Sequence, residues 1–135
     1  MTLRMARGLP AIVIIGLAIA CATNPVTGRR ELSFMSEAQE ISIAQEADPQ
    51  IKEEMGIYND PALQQYVTEI GMRMAKISER PNLPWRFTVV DVPAVNAFAI
   101  PGGYIYITRG ILPFLDTEAE LAGVLGHEIG HVTAR

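Results

Sequence analysis

The feature that most constrains this chain is His127-Glu128-Ile129-Gly130-His131, an H-E-x-x-H run whose spacing is helical. At 3.6 residues per turn, histidines four apart lie about 40° from each other, so both imidazoles can reach one zinc ion. Glu128 is about 100° around from His127 but only about 60° from His131, so its carboxylate flanks the same position. There it can take a proton from a water polarised by the metal. Two ligands and a base on one helical face are the minimal kit for hydrolysing a peptide bond.

The preceding run, Thr117 to Gly126, reads as the start of that helix. Thr117 with Glu120 fits a capping box, and Asp116 is an alternative N-cap. Ala119, Leu121, Ala122, Val124, Leu125, Ile129 and Val132 spread around much of its circumference, which predicts a helix buried on most sides. The residues around the motif are uncharged, and two histidines with a glutamate on a buried helix would be costly unless they served a ligand.

A catalytic zinc normally takes three protein ligands and keeps one position open. His127 and His131 supply two. The third is expected downstream of Arg135, the alternative being an upstream carboxylate such as Glu118 or Glu120. Glu120, seven residues before His127, shares its face but lies two turns away, too far to share the metal. The chain is therefore expected to be the N-terminal part of a longer domain, cut within its active-site helix and inactive by itself.

The other end reads as a targeting segment. Arg4 and Arg7 precede an apolar run of ten from Ala11 to Ala20, too short to span about 30 Å of hydrocarbon but right for a signal sequence. The run ends at Cys21, the sole cysteine, so an internal disulfide is excluded. Ala20-Cys21 suggests a bacterial lipoprotein signal, cut before Cys21 and acylated there. Ala18-x-Ala20 also fits ordinary signal cleavage, which would leave the same bond cut and the product soluble. Both lead to the cell envelope, and acyl chains on Cys21 would anchor the protein to a membrane.

Residues 1–20 carry two arginines and no carboxylate, so their removal moves the net charge from −4 to −6. With no basic run, nucleic acid is not an expected partner. Residues 21–35, including the turn-rich Asn24-Pro25-Val26-Thr27-Gly28, form an extended lead-in. Residues 36–135 are expected to be the N-terminal part of a single domain. Ser36 and Gln39 predict a capped helix through about Ala47 that stops near Asp48-Pro49, with Glu37, Glu40 and Glu46 on a solvated face. Asp60-Pro61 opens a second helix to about Ser78, whose Leu63, Tyr66, Val67, Ile70, Met74 and Ile77 should face the core. Met72 and Met74 fill gaps, and Trp85 packs. Arg86 to Asp91 is strand-like. Val95 to Ile100 and Tyr104 to Thr108 form a β-hairpin around Pro101-Gly102-Gly103, with Gly110 closing the second arm. The class is α+β, with N-terminal helices, a small antiparallel hairpin or sheet and a buried active-site helix.

Asn96-Ala97-Phe98-Ala99-Ile100-Pro101-Gly102-Gly103, Ile105-Tyr106-Ile107-Thr108-Arg109-Gly110 and the run from Glu118 into the histidine motif together resemble the CAAX-prenyl-protease-like zinc metallopeptidases, especially their bacterial periplasmic, often lipid-anchored branch. Asn24 to Gly28 looks like that branch too. The resemblance implies a zincin-like domain of the gluzincin type, in which a glutamate on a later helix completes the zinc site. It implies His127 and His131 as ligands, Glu128 as base, and an edge strand near Asn96 and Ala97 that aligns the substrate backbone. For Asn96, exposure on a strand would account for a polar residue equally well. The implied activity is zinc-dependent endoproteolysis of misfolded or misassembled envelope proteins, in the periplasm and anchored to the outer membrane. The alternative is a non-catalytic envelope module that binds or escorts partner proteins along the same edge.

Overall fold

The computed structural model describes residues 21–23, 30–32 and 35–134. The targeting segment at 1–20 and the turn at 24–28 lie outside them. At the start of the described chain, β1 (Cys21–Thr23) pairs antiparallel with β2 (Arg30–Leu32), Cys21 opposite Leu32. The domain itself is built from α1 (Glu37–Met55), α2 (Pro61–Ala75), β3 (Arg86–Val90), β4 (Ala97–Ile100), β5 (Tyr104–Thr108), a 3₁₀ segment (Arg109–Phe114) and α3 (Glu118–Ala134).

α1 begins as its sequence predicts. Ser36 Oγ accepts the Gln39 N–H and Gln39 Oε1 accepts the Ser36 N–H, the reciprocal pair of a capping box. Its end differs, because the helix runs through Pro49 and stops at Gly56, where φ is +72°. An interior proline costs about 3 kcal/mol in a free helix. Here Asp48 is fastened on both sides of it: Oδ1 accepts the Tyr106 hydroxyl at 2.8 Å and Oδ2 accepts Lys52 Nζ at 2.7 Å from the next turn. Tertiary bonds override the local stop signal. The expected solvated glutamate face also fails in part. Glu46 is exposed, but Glu40 is buried and both Glu37 and Glu40 bind Arg80.

α2 opens with Asp60 Oδ1 accepting the Leu63 N–H at 3.0 Å and Pro61 in the first turn. It closes at Ala75, short of Ser78, whose hydroxyl instead bonds Ala75 O at 2.7 Å. Val67, Ile70 and Ala75 reach the core, whereas Tyr66 is 41% and Ile77 87% exposed. Ile77 lies past the last helical turn, so the helical phase no longer governs it. Met72 and Met74 pack on the core as gap-fillers, and Trp85 is buried with its indole N–H on Arg80 O.

The hairpin forms, Ala97 opposite Ile107 and Ile100 opposite Tyr104, but the sheet is mixed rather than antiparallel. β3 joins the other edge of β5 in parallel, Phe87 beside Ile105 and Val89 beside Ile107, giving the order β3-β5-β4. The parallel partner suits a strand covered on both faces. All five residues of β5 are buried. By the two-residue period of a strand, Ile105 and Ile107 meet α2 and α3, while Tyr104 and Tyr106 meet Ala44 of α1 on the other face. After β5 the chain does not simply close at Gly110 but winds into the 3₁₀ segment. No helix among the described residues is long and apolar enough to cross a membrane.

Candidate active site

α3 starts with the capping box read from its sequence: Glu120 N–H donates to Thr117 Oγ1 at 3.2 Å, and Glu120 Oε2 accepts the N–H groups of Thr117 and Asp116 at 2.9 and 2.7 Å. Leu121, Leu125, Ile129 and Val132 form one buried stripe. Each such side chain contributes roughly 1.5–3 kcal/mol when fully buried, which fixes the rotation of the helix. The expectation of burial on most sides is corrected: Ala119, Gly123, His127, Gly130 and His131 are exposed on the opposite face. The hydrophobic spread around the helix overstated its burial because Ala119 stands in solvent and Ala122 and Val124 are only half covered.

On the open face the two imidazoles converge. His127 Nε2 and His131 Nε2 are 2.9 Å apart, with ring centroids at 4.4 Å and planes at 87°. That spacing lets one cation sit about 2.0–2.1 Å from both nitrogens, the zinc–imidazole distance. Glu128, between them in sequence, is only 8% exposed and has no hydrogen-bond or ion-pair partner among the described residues. Its carboxylate oxygens are not among the buried unpartnered atoms, so the group opens onto the cleft with hydrogen-bonding capacity to spare. The donor set therefore fits a zinc ion. Among the described residues no third His, Cys, Asp or Glu joins it to make a three-ligand group.

Glu128 and His127 line a cleft of about 620 Å³ together with Asn96 and Ala97. The motif and the start of β4 are thus brought to one place, although 30 residues separate them in the chain. β4 is an edge strand, since the sheet ends at it. Its start is held by Thr108, a buried residue whose Oγ1 lies 2.5 Å from Ala94 O and 2.9 Å from Asn96 O and accepts the Asn96 N–H at 3.1 Å. Cys21 contributes its backbone to β1. Sequence reasoning missed Ile111 and Leu115 from around the 3₁₀ segment and Gly123 and Val124 from α3 as walls; Glu120, which it placed on the His127 face, lines the cleft too. The same helical arithmetic could have found Gly123, four residues before His127.

A second polar group holds the far end of α3. Arg80, buried between the helices, donates from Nη1 to Val132 O at 3.1 Å and from Nη2 to Glu40 at 2.7 Å and Glu37 at 3.0 Å. The turn that carries His131 is so tied to α1.

The sequence pattern of Peptidase family M48 matches residues 61–135, from the first residue of α2 to the end of the chain. The chain belongs to Peptidase family M48. It is 33% identical over 113 residues to the beta-barrel assembly-enhancing protease of Escherichia coli (strain K12), covering 84% of this chain and 23% of that protein. With the Yersinia pestis protein of the same name the identity is 32% over 120 residues, covering 89% and 25%. With the mitochondrial metalloendopeptidase OMA1 of Schizosaccharomyces pombe it is 36% over 117 residues, covering 82% and 34%. The chain thus spans about a quarter to a third of the length of these curated relatives. The gluzincin metallopeptidase family expected from the sequence stands at this level. These relatives are named as beta-barrel assembly-enhancing protease and OMA1, however, not as CAAX prenyl proteases.

Proposed function

We propose that this chain carries the histidine ligands and general base of a zinc-dependent metalloendopeptidase of the bacterial cell envelope. The observation that supports this best is Glu128: a carboxylate with no partner among the described residues, opening beside two converging imidazoles onto a cleft bordered by an edge strand. An escort module would need the strand edge but not that carboxylate.

In this reading His127 and His131 hold the zinc through Nε2, and the third protein ligand comes from beyond the described residues. When bound, the zinc supplies Lewis-acid polarisation at the scissile carbonyl and the attacking water. Glu128 takes the proton released by that water on a carboxylate oxygen and delivers it to the departing amine nitrogen, ending ionised as it began. The open edge of β4, from Asn96 and Ala97 onward, aligns an extended substrate by main-chain hydrogen bonds. Thr108 keeps the start of that edge in place.

Misfolded or misassembled envelope proteins are the proposed substrates, a reading supported by relatives named for enhancing β-barrel assembly. The proposed location is the periplasmic face of the outer membrane through an acylated Cys21, which the mass of the mature N-terminal peptide would confirm or refute. The activity is tested in the full-length protein by measuring zinc content and casein cleavage of Glu128→Gln together. Full zinc occupancy with cleavage reduced by about 10²–10⁴-fold is expected, the usual worth of a general base. Undiminished cleavage would remove Glu128 from the mechanism.

A further inference from the structure

Gly123 is the open floor of the cleft. It lies one turn before His127, so the two share a face of α3. A Cβ built on it meets no heavy atom within 4 Å. The contrast along the adjoining helices is informative. At Gly71 a Cβ would come within 2.5 Å of the Phe87 ring, so packing explains that glycine; at Gly126 it would come within 2.6 Å of the Met74 methyl, the movable end of a flexible side chain. Among the described residues packing does not ask for glycine at 123, and a helix interior disfavours it. Gly130 is open as well but does not line the cleft.

The walls around this floor have one chemistry. Ile111, Leu115 and Val124 each pack one side on the core and are only half covered, leaving the other side to the cleft. The carboxylate of Glu120 is turned back to cap the first turn of α3. Among the described residues no lysine or arginine lines the space. It continues directly into the position of His127 and Glu128, with the strand edge at Asn96 and Ala97 alongside. A peptide laid along that edge would present side chains to alternate sides, and one of them would enter here.

Resting on the peptidase reading above, we propose that Gly123 is a specificity-determining residue: its missing side chain opens a pocket, walled by Ile111, Leu115 and Val124, that receives a bulky apolar side chain adjoining the scissile bond. The substrate class is therefore extended segments carrying leucine, isoleucine, methionine or phenylalanine next to the cut. A folded surface, where such residues are buried, would offer few of them.

The test uses the zinc-loaded full-length protein, its Gly123→Leu and Gly123→Ala variants and a proteome-derived peptide library. The residues flanking each cut are read by mass spectrometry. A matched peptide pair, with leucine or alanine at the selected position, then gives the ratio of kcat/KM. The wild type should favour leucine by about tenfold or more, the scale on which a hydrophobic pocket discriminates. Gly123→Leu should abolish that preference, and Gly123→Ala should reduce it by about threefold, with zinc content and melting temperature retained. An unchanged leucine-to-alanine ratio in both variants, or a wild-type library enriched in lysine and arginine at the cut, would overturn the inference while leaving the peptidase reading intact. If the zinc-loaded wild type cleaves nothing in the library, the peptidase reading falls and this inference with it.

Discussion

Two polar clusters sit on α3 about one turn apart, and they are opposites. Around Arg80 the charges are buried and matched: the guanidinium is 5% exposed and its two terminal nitrogens reach Glu37, Glu40 and Val132 O. Around His127 the groups border an open cleft and are mismatched, two imidazole nitrogens facing each other and the Glu128 carboxylate without a partner among the described residues. The first cluster is closed, with only Arg80 Nε lacking a partner among the buried side-chain atoms of the described residues. A closed set of charges specifies how elements meet. An open one has capacity left for a ligand, and that is the physical difference between an architectural and a functional polar group.

The largest effect that would break this contrast concerns the open cluster. His127→Ala in the full-length protein should lose most of its zinc and with it the activity, because one of the ligands is gone. The stability of the metal-free protein should change by no more than about 0.5 kcal/mol, as for other exposed positions. Zinc analysis and chemical denaturation in chelator check the two halves; a large loss of metal-free stability would make His127 architectural. The closed cluster should answer in reverse. Arg80→Met takes the guanidinium away from Glu37, Glu40 and Val132 O at once and should cost about 3–5 kcal/mol, read from the denaturation midpoint. Arg80→Lys should recover only part, since an ammonium cannot reproduce the guanidinium fork. A midpoint within error of the wild type would show that the buried pair specifies nothing.

The smallest effect sharpens the contrast with an exposed ion pair. Glu118 accepts hydrogen bonds from Arg73 at 2.6 Å and from Tyr66 at 3.2 Å, which lower its pKa in that order of importance. A folded-state pKa below the unfolded one means the pair stabilises at neutral pH, and that the contribution fades as pH falls through the lowered pKa. Because the group is solvent-exposed, salt should screen it. Glu118→Gln should melt slightly below the wild type at pH 7 and low salt, and equal to it in acid or at high salt. A difference that survives both conditions would point to packing instead of charge.

The legible parts of this fold were those whose cause is local. The Ser36 and Thr117 capping boxes, the Asp60-Pro61 start and the glycine turn of the hairpin each depend on residues within a few positions. The converging histidines were legible for the same reason, being one turn apart. What failed depended on distant partners. Pro49 reads as a stop, and nothing nearby announces that Tyr106 will hold Asp48 across the domain. Glu40 reads as solvated until Arg80, forty residues on, is placed against it. The parallel pairing of β3 with β5 leaves no mark in either strand beyond an apolar run. The cleft walls at Ile111 and Leu115 escaped notice because a 3₁₀ segment has no periodicity by which to assign a face.

The hairpin has a consequence for the entropy of binding. Its turn, commonly the loosest part of such a motif, is pressed under α1, where a Cβ on Gly102 would lie 2.7 Å from Glu40 O. Its other end is stitched by the Thr108 hydroxyl to the backbone at 94 and 96. β4 is therefore fastened at both ends, and among the described residues no strand pairs with its outer edge. A peptide that adds to such a strand finds its template already ordered, so the conformational freedom lost in the complex is almost wholly the peptide's own. Chains that are already extended and unstructured can meet that loss most readily, and a folded protein must first unravel. In the proposed reading, discrimination between the two resides in the state of the substrate.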